Sequence, residues 1–210
     1  KVVWFHVASL GEFEQGRTVI ELFKKEFPKH KIVLTFFSPS GFEVRKNYAY
    51  ADWVFYLPLD TKKNAQGFLK ITKPDLALFV KYEFWYHYIN QLSKKNIPII
   101  SFSCIFRPNQ HFFKAYGQLG RETLNKISHF FVQNKESIQL LKQIGINEVS
   151  LTGDTRFDRV KQICTIKTSV ALAKAFKNTK QTLILGSSWN VDIDVLAPVL
   201  SKYGKDLKII

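Results

Sequence analysis

The chain has 210 residues, of which 46% are hydrophobic and 15% aromatic, so it can bury a sizeable core and is not a disordered protein. Its formal net charge of +14 favours polyanionic partners, such as nucleic acid, anionic lipid or phosphorylated substrates, although general surface basicity gives the same balance. Cys104 and Cys164 provide neither a disulfide framework nor metal-ligand spacing, which indicates a reducing compartment. No apolar run reaches the roughly 20 residues of a transmembrane helix.

Apolar segments alternate with helical patterns along most of the chain. Several segments, such as "IVLTFF" and "LALFV", are almost continuously apolar, which is typical of strands covered on both faces. The alternation predicts an α/β fold with a doubly wound, Rossmann-like parallel sheet. The predicted strands are Val2–Val7, Lys31–Phe37, Trp53–Leu57, Leu76–Val80, Pro98–Phe102, His129–Val132 and Val149–Thr152. The predicted helices are Phe13–Glu26, Gly41–Tyr48, Lys63–Ile71, Phe84–Lys95, Phe112–Lys126 and Glu136–Ile144.

The pattern changes after residue 160. We predict an N-terminal domain over 1–160, a basic linker over 161–180, and the beginning of a second α/β domain over 181–210. A lone strand–helix–strand cannot bury both faces of a sheet, so we expect the chain to be part of a longer, two-domain protein. The start at Lys1 and the absence of Met lead us to expect a missing N-terminal segment, in which an anchor would fit.

Ligands of open α/β sheets bind beyond the carboxyl ends of the strands, near the point where the strand order reverses. In the commonest doubly wound order, strands one and four are neighbours, and Glu12 and Glu83 then line one crevice. Two carboxylates near hydroxyl and basic groups suit acid/base chemistry on an alcohol or a sugar. The other polar or small residues expected at this edge are Ser9, Gly11, Ser38, Ser40, Gly41, Arg107, Asp154 and Arg156.

Each of these motifs also has a purely structural interpretation. Ser9 and Glu12 form the S-x-x-E pattern of a helix capping box, and Glu83 is interpreted equally well as an acid in the first turn of a helix. A helix start also favours the carboxylate form that a general base needs, so we expect it to hold Glu12 ionised. "SPSG" fits either a turn with an N-cap or an anion-binding turn.

A second small turn, "GSSW", follows the first strand of the predicted second domain. Its residues, Gly186, Ser187, Ser188 and Trp189, enter a helix and would suit a phosphate, although such turns are common. The fingerprints G-x-G-x-x-G, G-x-x-x-x-G-K-[ST] and G-x-S-x-G are absent from the sequence. The five histidines have no metal-ligand spacing, and no metal site is predicted.

Taken in order, the segments "FHVASLGE", "IVLTFFSPSGFE", "YLPLD", "YEFW", "LTGDTRFD" and "LILGSSW" resemble the 3-deoxy-D-manno-octulosonic acid (Kdo) transferases of Gram-negative bacteria. The resemblance runs from residue 5 to residue 189. It implies a GT-B glycosyltransferase that transfers Kdo from CMP-Kdo to a lipid A precursor in lipopolysaccharide biosynthesis, with inversion and without a metal or another cofactor.

The resemblance also implies roles for individual residues and a location. Glu12 matches the proposed general base, Glu83 another polar site residue, and the "GSSW" turn the start of the domain that holds the CMP moiety. The family acts at the cytoplasmic face of the inner membrane, often with an N-terminal anchor, so an anionic membrane surface is an expected partner. Because most of the donor domain is missing, we expect residues 1–210 alone to be inactive.

The chain departs from the family pattern at several positions. Lys81 stands where many members have an acid, Tyr86-His87 replaces Pro-Asn, and Asp154 replaces Asn in a T-G-N motif. The arginine after strand five is shifted to Arg107. These differences bear on secondary contacts more than on Glu12.

Two other functions remain open from the sequence. One is a different GT-B enzyme that acts on a nucleotide sugar, either another glycosyltransferase or a sugar-nucleotide epimerase. The other is a non-enzymatic basic module that binds phosphates of nucleic acid or membrane. No nucleic-acid motif is present and paired carboxylates repel phosphate, so we expect no nucleic-acid partner.

Overall fold

The computed structural model describes residues 1–166, 169–204 and 207–210. The chain divides into two compact units, Lys1–Ile163 and Cys164–Ile210. Positions 167 and 168 of the predicted linker lie outside the described residues.

The first unit is built on a seven-stranded sheet with the order β3-β2-β1-β4-β5-β6-β7, in which every neighbouring pair is parallel. This confirms the predicted fold class and the predicted adjacency of β1 and β4. The strands are β1 Val2–Val7, β2 Lys31–Phe36, β3 Trp53–Tyr56, β4 Leu76–Val80, β5 Ile99–Cys104, β6 His129–Val132 and β7 Val149–Leu151. The helices are α1 Leu10–Glu26, α2 Pro39–Arg45, α3 Lys62–Thr72, α4 Tyr86–Lys94, α5 Gln118–Leu124, α6 Lys135–Gln143 and α7 Thr155–Thr165.

Both faces of the sheet are covered, as the continuously apolar strands predict. Successive side chains of a strand point to opposite faces, so Trp4 joins the core cluster that contains Tyr88 and Phe106, while Phe5 joins the cluster that contains Phe13 and Leu34. His6 therefore lies on the same face as Trp4, and it is fully buried. The central strand thus carries a polar side chain into an apolar layer directly below the carboxyl edge.

Helix α1 packs very closely on this central part of the sheet. A Cβ built on Gly16 would lie 3.2 Å from Val80 and 3.4 Å from Val7, so the glycine allows the helix to approach β1 and β4. The close approach fixes the start of α1 above the ends of these two strands.

Two helix predictions are wrong in an instructive way. The segment predicted as one helix over Phe112–Lys126 is a short 3-10 helix, His111–Phe113, followed by α5. The chain turns between them, and a Cβ on Gly117 would lie 2.0 Å from the His111 carbonyl oxygen. The helix predicted from Phe84 begins only at Tyr86, which leaves Glu83 in a loop.

The second unit contains α8 Ala171–Lys177, β8 Gln181–Leu183, α9 Asn190–Tyr203 and β9 Leu207–Ile209. Strands β8 and β9 pair in parallel, which is the predicted strand–helix–strand. None of the hydrophobic residues described in this unit is fully buried. A two-stranded sheet with one crossing helix leaves most of its apolar surface exposed.

Candidate active site

Glu12 lies in the first turn of α1, just beyond the end of β1. The Ser9 side chain caps the helix by accepting the Glu12 backbone N–H at 3.5 Å. The Glu12 carboxylate accepts the Ala8 backbone N–H at 2.6 Å, and the Ser9 N–H also favours its charged form. The capping interpretation is therefore correct, and the same contacts fix the carboxylate at the edge of the sheet.

The electrostatic environment of Glu12 differs from the expected one. Burial, followed by repulsion from Glu83, raises the pKa of Glu12 from 4.5 to about 7. The Ala8 N–H, the Lys81 ammonium and the Ser9 N–H oppose this shift without cancelling it. The helix start therefore favours the ionised form of Glu12, as expected, but burial and Glu83 outweigh it and bring the pKa close to neutral.

Glu83 is brought to Glu12 by the adjacency of β1 and β4. It lies in the loop before α4, and the first turn of that helix contains no acidic residue, so the interpretation of Glu83 as a first-turn acid is wrong. Its Oε2 accepts the Trp85 indole N–H at 2.5 Å and lies 3.4 Å from His6 Nε2. The side chain is 15% exposed, so most of the carboxylate is out of water.

The first turn of α4 is satisfied from a distant part of the chain. The Asp60 carboxylate accepts the backbone N–H of His87 at 3.0 Å and that of Tyr88 at 3.3 Å. Asp60 follows β3 and is remote in sequence, so the local pattern around Glu83 gave no indication of this cap. Glu83 is thereby left available for other contacts.

Lys81 supplies the positive charge of the site. It follows β4 with a φ of 62°, in the left-handed region that non-glycine residues seldom adopt. Its carbonyl oxygen accepts the Cys104 thiol at 3.2 Å, which holds the strained backbone against the end of β5. The ammonium favours the charged form of Glu12, so Glu12, Glu83 and Lys81 form one electrostatic group.

The "SPSG" segment forms the start of α2, next to the start of α1. The Ser38 side chain caps α2 by accepting the Ser40 N–H at 3.3 Å, with Pro39 at the first helical position. A Cβ on Gly41 would lie 2.4 Å from the Phe36 ring, so Gly41 is required by packing. At Gly11 the nearest atom to such a Cβ is Ser9 Oγ at 3.9 Å, which leaves room at the helix start.

Asp154 and Arg156 largely satisfy each other. The Arg156 Nε lies 2.8 Å from Asp154 Oδ2, and although partial burial raises the pKa of Asp154, hydrogen bonds from Arg156 hold it below the usual range. Asp154 also accepts the Gln15 amide at 3.4 Å, which ties β7 to α1. Arg107 is exposed, and its positive charge acts to lower the pKa of Tyr82 against the effect of burial. Within the described residues, neither Arg107 nor Arg156 makes a hydrogen bond or an ion pair with Glu12 or Glu83.

In the second unit, the "GSSW" residues form a turn that leads into α9. Ser187 has a φ of 61°, and the space around a Cβ on Gly186 is open. Asp192, in the first turn of the helix, accepts the Trp189 backbone N–H at 2.8 Å. Trp189 is 78% exposed, and an acid already occupies part of the helix start.

His6 was not predicted as part of the site, because the histidines were considered only as metal ligands. The signal available was a histidine in an apolar central strand, which requires polar partners when it is buried.

Within 1–166, 169–204 and 207–210, no group of three potential metal ligands comes together. No helix in the described part of the chain combines the length and apolarity needed to cross a membrane.

Comparison with solved structures identifies relatives of the fold. A UDP-GlcNAc 2-epimerase from Neisseria meningitidis superposes with a TM-score of 0.67 at 14% identity, over 100% of this chain and 72% of that chain. MurG from Acinetobacter baumannii superposes with a TM-score of 0.57 at 8% identity, over 100% of this chain and 64% of that chain. Identities this low show a shared Rossmann-like fold of the GT-B kind and nothing finer.

Comparison with known sequences gives a narrower result. The 3-deoxy-D-manno-octulosonic acid transferase of Chlamydia trachomatis is 27% identical over 96% of this chain and 48% of its own length. The corresponding enzyme of Haemophilus influenzae is 24% identical over 96% of this chain and 49% of its own length. The chain thus spans about half the length of the curated relatives it matches. A family model described as 3-deoxy-D-manno-octulosonic-acid transferase (kdotransferase) matches residues 1–159, and the chain belongs to this family of glycosyltransferases.

Proposed function

We propose that the protein containing this chain transfers Kdo from CMP-Kdo to a lipid A precursor, with inversion and with Glu12 as general base. The observation that carries the proposal is the position of Glu12, beside Glu83 and Lys81 at the switch point of the sheet, with a pKa raised to about 7. A base with a pKa near the working pH is the most effective proton acceptor. Family membership supports the choice of Kdo as the transferred sugar.

In the proposed reaction, the acceptor is a sugar hydroxyl. The Glu12 carboxylate takes the hydroxyl proton while the hydroxyl oxygen forms a bond to the anomeric carbon of Kdo. The bond from that carbon to the phosphate oxygen of CMP breaks on the opposite face, and CMP leaves with the electron pair. Lys81 favours the ionised form of Glu12 before the transfer. No metal and no cofactor other than the donor is part of this proposal.

The residues that follow the strands are proposed to bind the substrates. Ser38, Ser40 and the open space at Gly11 are proposed to bind the acceptor, together with Glu83. The turn from Gly186 to Trp189 is proposed for the CMP moiety, in the second unit. The charge of +14 supports peripheral binding at the anionic cytoplasmic face of the inner membrane, where each nearby cation contributes about 1 kcal/mol.

The decisive experiment is Glu12→Gln in the full-length protein. We expect kcat to fall about 10² to 10⁴-fold, the usual contribution of a positioned general base, while the thermal unfolding profile stays cooperative. Glu26→Gln is the matched control, since Glu26 is an exposed acid at the other end of the same helix, and it should transfer Kdo normally. Near-normal transfer by Glu12→Gln would contradict the assignment of the base.

A binding measurement separates this proposal from the alternative GT-B enzymes. The full-length protein should bind CMP in preference to UDP and UDP-GlcNAc. Binding of the UDP-sugar without measurable affinity for CMP would overturn the choice of donor.

A further inference from the structure

His6 is a fully buried histidine directly beneath the acid pair. Its Nδ1 lies 2.8 Å from Thr35 Oγ1 and its Nε2 lies 3.4 Å from Glu83 Oε2. The Trp85 ring meets the imidazole edge-on at a centroid distance of 5.3 Å. The imidazole has little access to water; Nδ1 is within hydrogen-bond distance of Thr35, whereas Nε2 makes no hydrogen bond within the described residues and has the Glu83 carboxylate as its nearby charged group.

The hydrogen bonds around Thr35 determine which nitrogen of His6 carries the proton. The indole of Trp4 is a donor only, and it donates to Thr35 Oγ1 at 2.8 Å. The Thr35 hydroxyl proton then has two acceptors, His6 Nδ1 at 2.8 Å and the Phe5 carbonyl at 3.4 Å. We assign the hydroxyl proton to the shorter of these contacts, which makes Nδ1 the acceptor and places the imidazole proton on Nε2, the nitrogen that faces Glu83.

Among the described residues, Glu83 makes both of its polar contacts through one carboxylate oxygen, Oε2. The Trp85 N–H at 2.5 Å and the His6 Nε2 at 3.4 Å both meet Oε2. The Trp85 hydrogen bond and the His6 contact hold this oxygen in place, while Oε1 makes no hydrogen bond within the described residues. The loop that carries Glu83 has no helical structure to orient this side chain.

We propose that His6 is a positioning residue, which holds the Glu83 carboxylate in a fixed position beside Glu12. The role of Glu12 in this statement rests on the proposed function. The groups that face Glu12 are Lys81 and Glu83 after β4, and the Ala8 and Ser9 amides after β1. His6 on β1 and Trp85 before α4 face Glu83.

The proposal predicts how the pKa of Glu12 responds when His6 is replaced. Without the imidazole in contact with it, the Glu83 carboxylate is no longer held in position beside Glu12, so its repulsion of Glu12 weakens. Loss of a negative neighbour lowers the pKa of a carboxyl group. Burial remains, so the pKa of Glu12 should fall below about 7 and stay above its ordinary value of 4.5.

The test is a carbon-13 NMR titration of the Glu12 carboxyl in the unliganded full-length protein, with His6→Asn and His6→Gln as a pair. The Asn amide reaches the position of Nδ1 and keeps the Thr35 contact, whereas the Gln amide reaches the position of Nε2 and keeps a donor for Glu83. We expect His6→Asn to lower the titration midpoint by about one pH unit, within the usual range for one nearby charge. His6→Gln should restore most of the wild-type midpoint.

Glu83→Gln completes a double-mutant cycle. Alone it should lower the Glu12 midpoint as His6→Asn does, and His6→Asn should then add no further shift. An unchanged midpoint in His6→Asn, or an undiminished shift in the Glu83→Gln background, would overturn the proposal. If His6→Asn does not fold, Thr35→Val removes the proton donor to Nδ1, and an unchanged midpoint there overturns the proposal equally.

The titration needs neither donor nor acceptor. If the protein proves to transfer a different sugar, the shift in His6→Asn still supports the positioning role. The proposed Kdo transfer and the proposed role of His6 can therefore fail independently: an activity assay tests the first, and the Glu12 titration tests the second.

Discussion

The carboxylates at the two ends of the seven-stranded sheet lie in opposite electrostatic environments. At the carboxyl end, Glu12 and Glu83 are close enough to repel each other, and Lys81 compensates only in part. At the amino end, Asp52 accepts Lys24 at 2.9 Å, Lys31 at 2.8 Å and the Ile32 backbone N–H at 2.9 Å. At the carboxyl end, where chemistry is proposed, the two carboxylates repel each other. At the amino end, ion pairs and hydrogen bonds of one carboxylate hold the strands together.

The pKa shifts express this difference with opposite signs. Burial and Glu83 raise the pKa of Glu12 to about 7. For Asp52, burial also raises the pKa, but the hydrogen bonds from Lys31, Lys24 and Ile32 outweigh it and hold the value well below the usual range. Carboxylate ionisation therefore destabilises the fold at one end of the sheet and stabilises it at the other.

If the carboxyl end is held by packing instead of charge, its close contacts should be costly to disturb. Gly41→Ala would force a Cβ to within 2.4 Å of the Phe36 ring, beneath the start of α2. We expect the free energy of unfolding to fall by about 1–3 kcal/mol, the usual cost of overpacking, as measured by urea denaturation.

Gly11→Ala is the matched control for this prediction. Its new methyl group meets nothing closer than Ser9 Oγ at 3.9 Å, and alanine is the better helix former, so its stability should be unchanged or higher. Equal losses in both variants would show that close packing does not distinguish the two positions.

Because Glu12 is buried beside another carboxylate, we expect Glu12→Gln to stabilise the protein at alkaline pH. The raised pKa means that the folded state holds its proton more tightly, so stability is greatest below the unfolded value of 4.5 and is lost as pH rises through about 7. Gln has no charge to bury, and after allowance for solvent screening the gain at pH 8 should be about 1–2 kcal/mol.

Urea denaturation at pH 4 and at pH 8 checks this prediction. The two proteins should unfold nearly alike at pH 4, where Glu12 is mostly protonated in both the folded and the unfolded state, and should differ in stability at pH 8. A loss of stability in Glu12→Gln at pH 8 would show that the carboxylate stabilises this end of the sheet as Asp52 does the other.

The sequence was sufficient to predict the parallel sheet and the proximity of Glu12 and Glu83. Alternating apolar strands and helices predicted the parallel sheet, and the commonest strand order placed β1 beside β4. The local S-x-x-E pattern predicted the cap at Ser9 correctly. It could not predict the pKa of Glu12, since burial and Glu83 come from the tertiary structure.

The errors have the same origin. Asp60 caps α4 from 27 residues away, so the helix starts later than the periodicity predicts and Glu83 lies in a loop. The partner of His6 on β2, Thr35, is 29 residues distant, so His6 had no local signal as part of the site. The division between the domains and the roles of all the candidate site residues, including Glu12, stay predictions.

The amino end provides the smallest and most easily graded prediction, Asp52→Asn. The lowered pKa means that the stabilisation is present above the unfolded value of 3.8 and is lost as pH falls through the folded value. The side chain is 16% exposed, and we expect a loss of about 1 kcal/mol at pH 7 that shrinks towards zero in acid, measured by urea denaturation.

The two lysines that form ion pairs with Asp52 provide the control for this prediction. Lys24 is 25% exposed and Lys31 is 58% exposed, so Lys24→Gln should cost more than Lys31→Gln, whose ion pair is more strongly screened by water and salt. Asp52→Asn and Glu12→Gln should then change stability in opposite directions at pH 8. A gain of stability in Asp52→Asn would contradict the comparison, because it would mean that carboxylates are destabilising at both ends of the sheet.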